Sequence, residues 1–202
     1  MARTTSRKST RSKAAGRTAR SNGSARQTAR SAQTDAVTLL KADHRQVEQW
    51  FEQFEKSRSD AKKQELARNI CKALTVHAQI EEEIFYPAFL EATQDTDIHH
   101  EAAVEHDGAK KLIAEIESSG PEDDYFDARV TVLSEMIKHH VKEEEQRDGM
   151  FAKGRKAGMD MKELGQRLKT RKDELMAASP AGKMTSRRGG GRMRGADSRI
   201  GA

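Results

Sequence analysis

Apolar residues recur at intervals of three and four through most of the chain, the period of an α-helix with one face turned to a core. Val37, Leu40, Val47, Phe51 and Phe54 mark a first stripe, and Leu66, Ile70, Leu74 and Ile84 a second. Ala109, Ile113 and Ile116 mark a third, and Phe126, Val130, Leu133 and Ile137 a fourth. Breaks fall near 57–60, 93–97 and 118–124, the last reading Ser-Ser-Gly-Pro-Glu-Asp-Asp. Connections this short favour antiparallel neighbours. The pattern predicts an all-α fold, an up-down-up-down four-helix bundle. Pro87 falls late in the second helix, where a kink is expected because proline lacks the amide hydrogen and crowds the preceding turn. A shorter amphipathic helix over 159–177, with Leu164, Leu168 and Leu175, is expected to pack outside the bundle.

Each stripe is interrupted by residues that do not belong in a hydrocarbon core. His44 lies in the first, His77 and Glu81 in the second, His106 in the third, and His140 and Glu144 in the fourth. From His44 to His77 is 33 residues and from His106 to His140 is 34, so the chain carries two copies of His, long spacer, His-x-x-x-Glu. Residues i and i+4 share one helix face, which lets an imidazole and a carboxylate reach one metal or an adjacent pair. A lone histidine on an apolar face is usually a satisfied core residue. A repeat matched in order and spacing points instead to a two-metal site, built where facing helices of a bundle converge. Nitrogen and oxygen donors without sulfur suit iron, manganese or zinc. His139 with Glu143 competes for the register of His140 with Glu144, but the 63-residue offset that joins His77 to His140 also joins Glu81 to Glu144. His99 and His100 are alternatives to His106 at the start of the third helix. Glu48, one turn after His44, is a candidate further ligand, with Lys110 as its counterpart in the repeat. Glu82, Glu83, Glu143 and Glu145 read as a solvated face or as partners behind the ligands.

Charge divides the chain into three. Residues 1–34 carry nine Lys or Arg and no acid, residues 182–202 carry six against Asp197, and the remainder carries 22 bases against 31 acids. An acidic domain, 35–177, is thus flanked by basic arms, 1–34 and 178–202, whose Arg, Ser, Gly and Ala have almost nothing to bury and are expected to be disordered. Arginine-rich arms with almost no acid suit non-specific, salt-dependent contact with nucleic acid through phosphates, and equally a solubilising role. Cys71 is the only cysteine, so no intrachain disulfide forms. No stretch reaches the roughly 20 apolar residues of a membrane span, and the N-terminus lacks the apolar segment of a secretory signal. A soluble, cytoplasmic protein without a membrane partner is expected. Oligomeric state is left open.

Asp43-His44, His77-Ala-Gln-Ile-Glu-Glu-Glu-Ile-Phe-Tyr-Pro87, Glu105-His106 and His139-His-Val-Lys-Glu-Glu-Glu145 together resemble the hemerythrin-like HHE cation-binding family over about 35–177. The resemblance implies a four-helix bundle holding two iron ions with an oxo or hydroxo bridge. Carried over position by position, the ligands are His44, His77, Glu81, His106, His140 and Glu144. It also implies a small ligand such as O2, peroxide or NO, and oxidase or peroxide-reducing chemistry. Two other functions fit the same residues: an iron or oxygen sensor or iron store, and a nucleic-acid-associated protein using its arms. The oxygen-carrying relatives place a further histidine where this chain has Ala102, which leaves each metal with an open position and favours turnover over oxygen storage. The link Gln146-Arg-Asp-Gly-Met-Phe151 also departs from the relatives' shorter one.

Overall fold

A computed structural model describes residues 34–178, so all but the inner ends of the two arms lies outside the described residues. The described chain is all-helical: α1 (Ala36–Lys56), α2 (Asp60–Ile80), α3 (Tyr86–Thr93), α4 (Thr96–Glu117), α5 (Phe126–Glu145), α6 (Met150–Lys156) and α7 (Met161–Ala178). Side chains that accept from free first-turn amides start four of them: Asp35 for Thr38 N, Ser59 for Lys62 N, Asp95 for Ile98 N, and Asp160 for Lys162 N and Glu163 N. α1 packs on α2 and α5, and α4 packs on the same two, which closes a four-helix ring in the expected topology.

α2 and α3 are one continuous rod joined by a π-helical turn, Glu81–Phe85, in which Tyr86 N–H donates to the carbonyl of Glu81. Pro87 explains the widening: it has no amide hydrogen, and its ring would press on the carbonyl of the residue four earlier in a regular α-helix. The disturbance expected at Pro87 thus takes the form of an inserted residue. One extra residue rotates everything after it by about 100°. The buried face consequently moves from the predicted Ile84, which is only half-buried, to Phe85, Tyr86 and Phe89.

The core is split into two apolar clusters. One, toward the far loops, contains Val47, Phe51, Phe54, Leu66, Ile70, Ile113, Phe126 and Leu133. The other contains Leu40, Ile80, Phe85, Phe89, Met150, Phe151, Leu164 and Leu168. Between them every bundle helix switches from apolar to His or Glu, so the polar residues form a layer across the bundle. α6, a helix the hydrophobic pattern did not reveal, tucks Met150 and Phe151 under that layer. The last helix does more than lie outside the bundle. α7 crosses α1, α2 and the π turn and buries Leu164 and Leu168 in the second cluster.

Candidate metal centre

The structure brings His44, His77, Glu81, His106, His140 and Glu144 into one layer, none more than 6% exposed. The histidines meet in pairs with Nε2 inward: His44 Nε2 is 3.0 Å from His77 Nε2, and His106 Nε2 is 3.3 Å from His140 Nε2. Glu81 Oε2 lies 3.2 Å from His77 Nε2 and 3.6 Å from His106 Nε2, between the pairs. Glu144 lies 3.5 Å from His44 Nε2 through Oε2 and 3.8 Å from His140 Nε2 through Oε1. Two groups of converging donors result, His44, His77, Glu81 and Glu144 in one and Glu81, His106 and His140 in the other, each with its atoms within 4.8 Å of one another. Glu81 belongs to both. Glu81 Oε1 and Glu144 Oε2 are buried without a hydrogen-bond partner, a costly arrangement in an apolar core that a cation relieves. Donor type, burial and these two free oxygens therefore fit metal ions. Glu48 and Lys110, the other pair considered, point elsewhere: Glu48 pairs with Arg45, and Lys110 with Glu82. His139 and His100 are exposed, and His99 stacks edge-on near Tyr86 rather than joining the donors.

Behind each histidine stands a carboxylate, and the four contacts run in a ring. Asp43 on α1 accepts from His77 Nδ1 (3.5 Å), and Glu82 in the π turn accepts from His106 Nδ1 (2.9 Å). Glu105 on α4 accepts from His140 Nδ1 (2.7 Å), and Glu145 on α5 accepts from His44 Nδ1 (2.8 Å). Every bundle helix thereby orients the histidine of the next. Such contacts fix the tautomer that leaves Nε2 free for a metal and raise its basicity. Each acid adjoins a ligand candidate in sequence, before it on α1 and α4 and after it on the antiparallel rods, so all four side chains turn the same way round the bundle. Of the acids set aside as surface or supporting residues, Glu82 and Glu145 take this role. Glu83 and Glu143 do not, pairing with Arg171 and Gln146.

Tyr86 is a residue of the centre that the pattern of histidines and glutamates did not single out. Its hydroxyl donates to Glu144 Oε1 (3.2 Å) and lies 3.1 Å from His106 Nε2 and 3.5 Å from Glu81 Oε2. The π turn puts it there, because with one residue inserted Tyr86 takes the place one turn after Glu81 that Phe85 would otherwise hold. Ala102, one turn before His106, is small enough to leave the room. The two donor groups are thus unequal: a phenol stands at the His106 pair, while Phe151 stacks 6.1 Å from His44 at the other. Burial, then the charges of Glu81 and Glu144, push the phenol well above its usual pKa, so it stays a donor. Tyr86→Phe removes a donor from buried Glu144 and is expected to cost the metal-free protein about 1–3 kcal/mol, read from denaturant unfolding; an unchanged midpoint would show that the hydroxyl does not satisfy Glu144.

Protons fill the centre when no cation does. Burial works against ionising His77, but Glu81 and Asp43 outweigh it and hold its pKa near 10. Burial, with His77 beside it, depresses His44 to about 4. Burial likewise lowers His106, and Glu144 with Glu105 raises His140 against its burial. Burial and the charge of Glu81 raise Glu144 to about 8. Glu81 is held to about 2 because His77, then His106 and His140, overcome its burial. Ligands bind metal deprotonated, so cations compete with the protons of His77 and Glu144, both still bound at pH 7. Metal affinity therefore falls as pH falls and climbs as pH rises through 8 toward 10. Uptake at pH 7 is expected to release roughly two protons per chain, seen as a buffer-dependent heat in titration calorimetry; a heat independent of buffer contradicts it.

A cavity of about 30 Å³ opens on the other side of the layer, between the four imidazoles and Val47, Leu74, Ala109, Ile113 and Ile137. It has room for a diatomic molecule or one or two waters, and apolar walls.

Imidazoles and carboxylates converging from the four rods of such a bundle define the class of helical-bundle metal-binding proteins. The chain belongs to the hemerythrin HHE cation-binding domain family, whose model matches residues 35–152. A protein named DNA nickase from Nostoc sp. is 32% identical over 107 residues, covering 53% of this chain and 30% of that protein. The chain thus spans about a third of that relative's length. No solved structure matches it significantly. Among the described residues no helix is long and apolar enough to cross a membrane.

Proposed function

We propose that this chain is a non-haem di-iron protein that binds or reduces a small ligand, O2, peroxide or NO, at a carboxylate-bridged iron pair. His44, His77, Glu81 and Glu144 hold one iron, His106 and His140 with the shared Glu81 hold the other, and Glu144 reaches toward both. The observation that carries the reading is the buried layer itself, with four inward Nε2 atoms, each backed by a carboxylate on Nδ1. Bound iron supplies exchangeable electrons and open coordination positions. The chain supplies the rest. Val47, Leu74 and Ile113 keep bulk water from the imidazole face, which favours an uncharged diatomic guest. On the carboxylate side of the layer Tyr86 Oη keeps its proton and donates it to Glu144. The test is metal analysis of protein purified in air, followed by oxygen and peroxide consumption with a chemical reductant. About two irons per chain with turnover supports the reading, while a fully folded protein that takes up no iron sinks it.

A second reading draws on the Nostoc relative and the basic arms: the metal domain is carried to nucleic acid by residues 1–34 and 178–202. Phosphate contact by arginine is strongly salt-dependent. Deleting both arms should abolish salt-sensitive DNA binding with metal content unchanged. Conversion of supercoiled plasmid to its nicked form by the iron-loaded chain tests whether the relative's named activity extends to this one.

A further inference from the structure

Three of the four carboxylates behind the histidines are themselves held by a lysine or arginine, the fourth by a histidine, and the sources differ. Glu82 is held by Lys110 of α4, and Glu145 by Lys41 and Arg45 of α1. Glu105 contacts His139 of α5. All of these lie within the bundle. Asp43 is held by Lys172, from α7, a helix beyond the family match at 35–152. The neighbouring Arg171 grips Glu83 with two nitrogens, Nε at 2.6 Å and Nη2 at 3.1 Å, in the π turn that carries Glu81. A two-point guanidinium contact fixes geometry as well as charge.

Two consecutive residues of one appended helix thus reach Asp43, which aims His77, and Glu83, in the turn that carries Glu81. We propose that Lys172 makes α7 a positioning strap for the metal position built from His44, His77, Glu81 and Glu144, with Arg171 anchoring the turn that carries the shared Glu81. The inference rests on the metal-binding role proposed above. Asp43 is the natural place for such a strap, because its 3.5 Å contact with His77 is the longest of the four ring contacts. α7 is placed by packing independent of the pairs. Leu168 is fully buried, and at Gly165 the helix comes so close to the start of α1 that a Cβ would stand 2.3 Å from the Thr34 carbonyl oxygen and 2.8 Å from Ala36 N. The basic side chains are therefore delivered to Asp43 and Glu83 by a seat that does not depend on them. Lys169, one turn away, pairs among the described residues only with Asp173 of its own helix, and serves as a control.

The test uses the full chain loaded with ferrous iron, exposed to air, freed of excess metal and then challenged with a strong chelator, with iron loss followed over time. In Lys172→Gln, half of the iron should leave about tenfold faster and the other half at the wild-type rate. Lys172→Arg should restore the slow phase, and Lys169→Gln should match wild type. Thermal unfolding of the metal-free variants shows whether the fold is intact. Unchanged or slower loss in Lys172→Gln overturns the strap, since deleting a nearby positive charge would then matter more than positioning. Equal acceleration of both halves overturns it too, by making α7 a general stabiliser. A wild-type chain that takes up no iron overturns the metal reading and the strap together.

Discussion

Glu81→Gln is expected to empty both metal positions. Glu81 is fully buried, it is the donor common to both groups, and one of its oxygens has no other partner. An amide keeps the shape but loses the charge that would neutralise two cations in a medium without water. Metal content should fall from about two ions per chain to near none. His140→Ala removes a donor from one group alone and should leave roughly one ion. Glu81→Gln also strips the charge that holds a proton on His77, so the metal-free variant loses part of a buried ion pair, which costs about 3–5 kcal/mol when one partner is removed. The two effects separate by measuring metal content and metal-free unfolding on the same preparations. Retention of both ions by a folded Glu81→Gln protein would remove Glu81 from the site.

Stripping metal from the wild-type chain should lower its unfolding temperature by roughly 10 °C. A ligand that binds only the folded state stabilises by about 4 kcal/mol at a thousand times its dissociation constant. For a domain of this size each kcal/mol shifts the midpoint by about 2–4 °C. The metal-free domain should still fold, because protons on His77 and Glu144 fill the polar layer and both apolar clusters are untouched. Calorimetric scans before and after chelation, and after iron is returned, check this. A midpoint that fails to recover on adding iron would mean that metal is not what holds the layer.

Much of this architecture was legible before any coordinates. Four apolar stripes set the helices, turn-rich breaks set the connections, and the misplaced histidines and glutamates set the layer they share. What stayed hidden has a physical reason in each case. The π turn leaves no mark in a period of 3.6, since it inserts one residue and restores the old rhythm at a new phase, so nothing in the periodicity singled out Tyr86. Pro87, six residues beyond Glu81 and directly after the stretch Glu-Glu-Glu-Ile-Phe-Tyr, was the available hint. α6 is seven residues long, too short for periodicity to register. Asp43 and Glu105 hid beside their own histidines because they serve those of neighbouring helices, a relation visible only once the rods are assembled. The link from α7 to Asp43 spans 129 residues of sequence and follows from packing alone.

The two histidine pairs come from the two helical hairpins of the chain, His44 with His77 from the first and His106 with His140 from the second. Neither hairpin is self-sufficient. The first needs Glu144 of the second as a donor and Glu145 to aim His44, and the second needs Glu81 of the first and Glu82 to aim His106. A separated hairpin would hold half a cage with one of its imidazoles unaimed. The centre is in that sense a joint between two half-proteins, and an ion bound there certifies that both have docked.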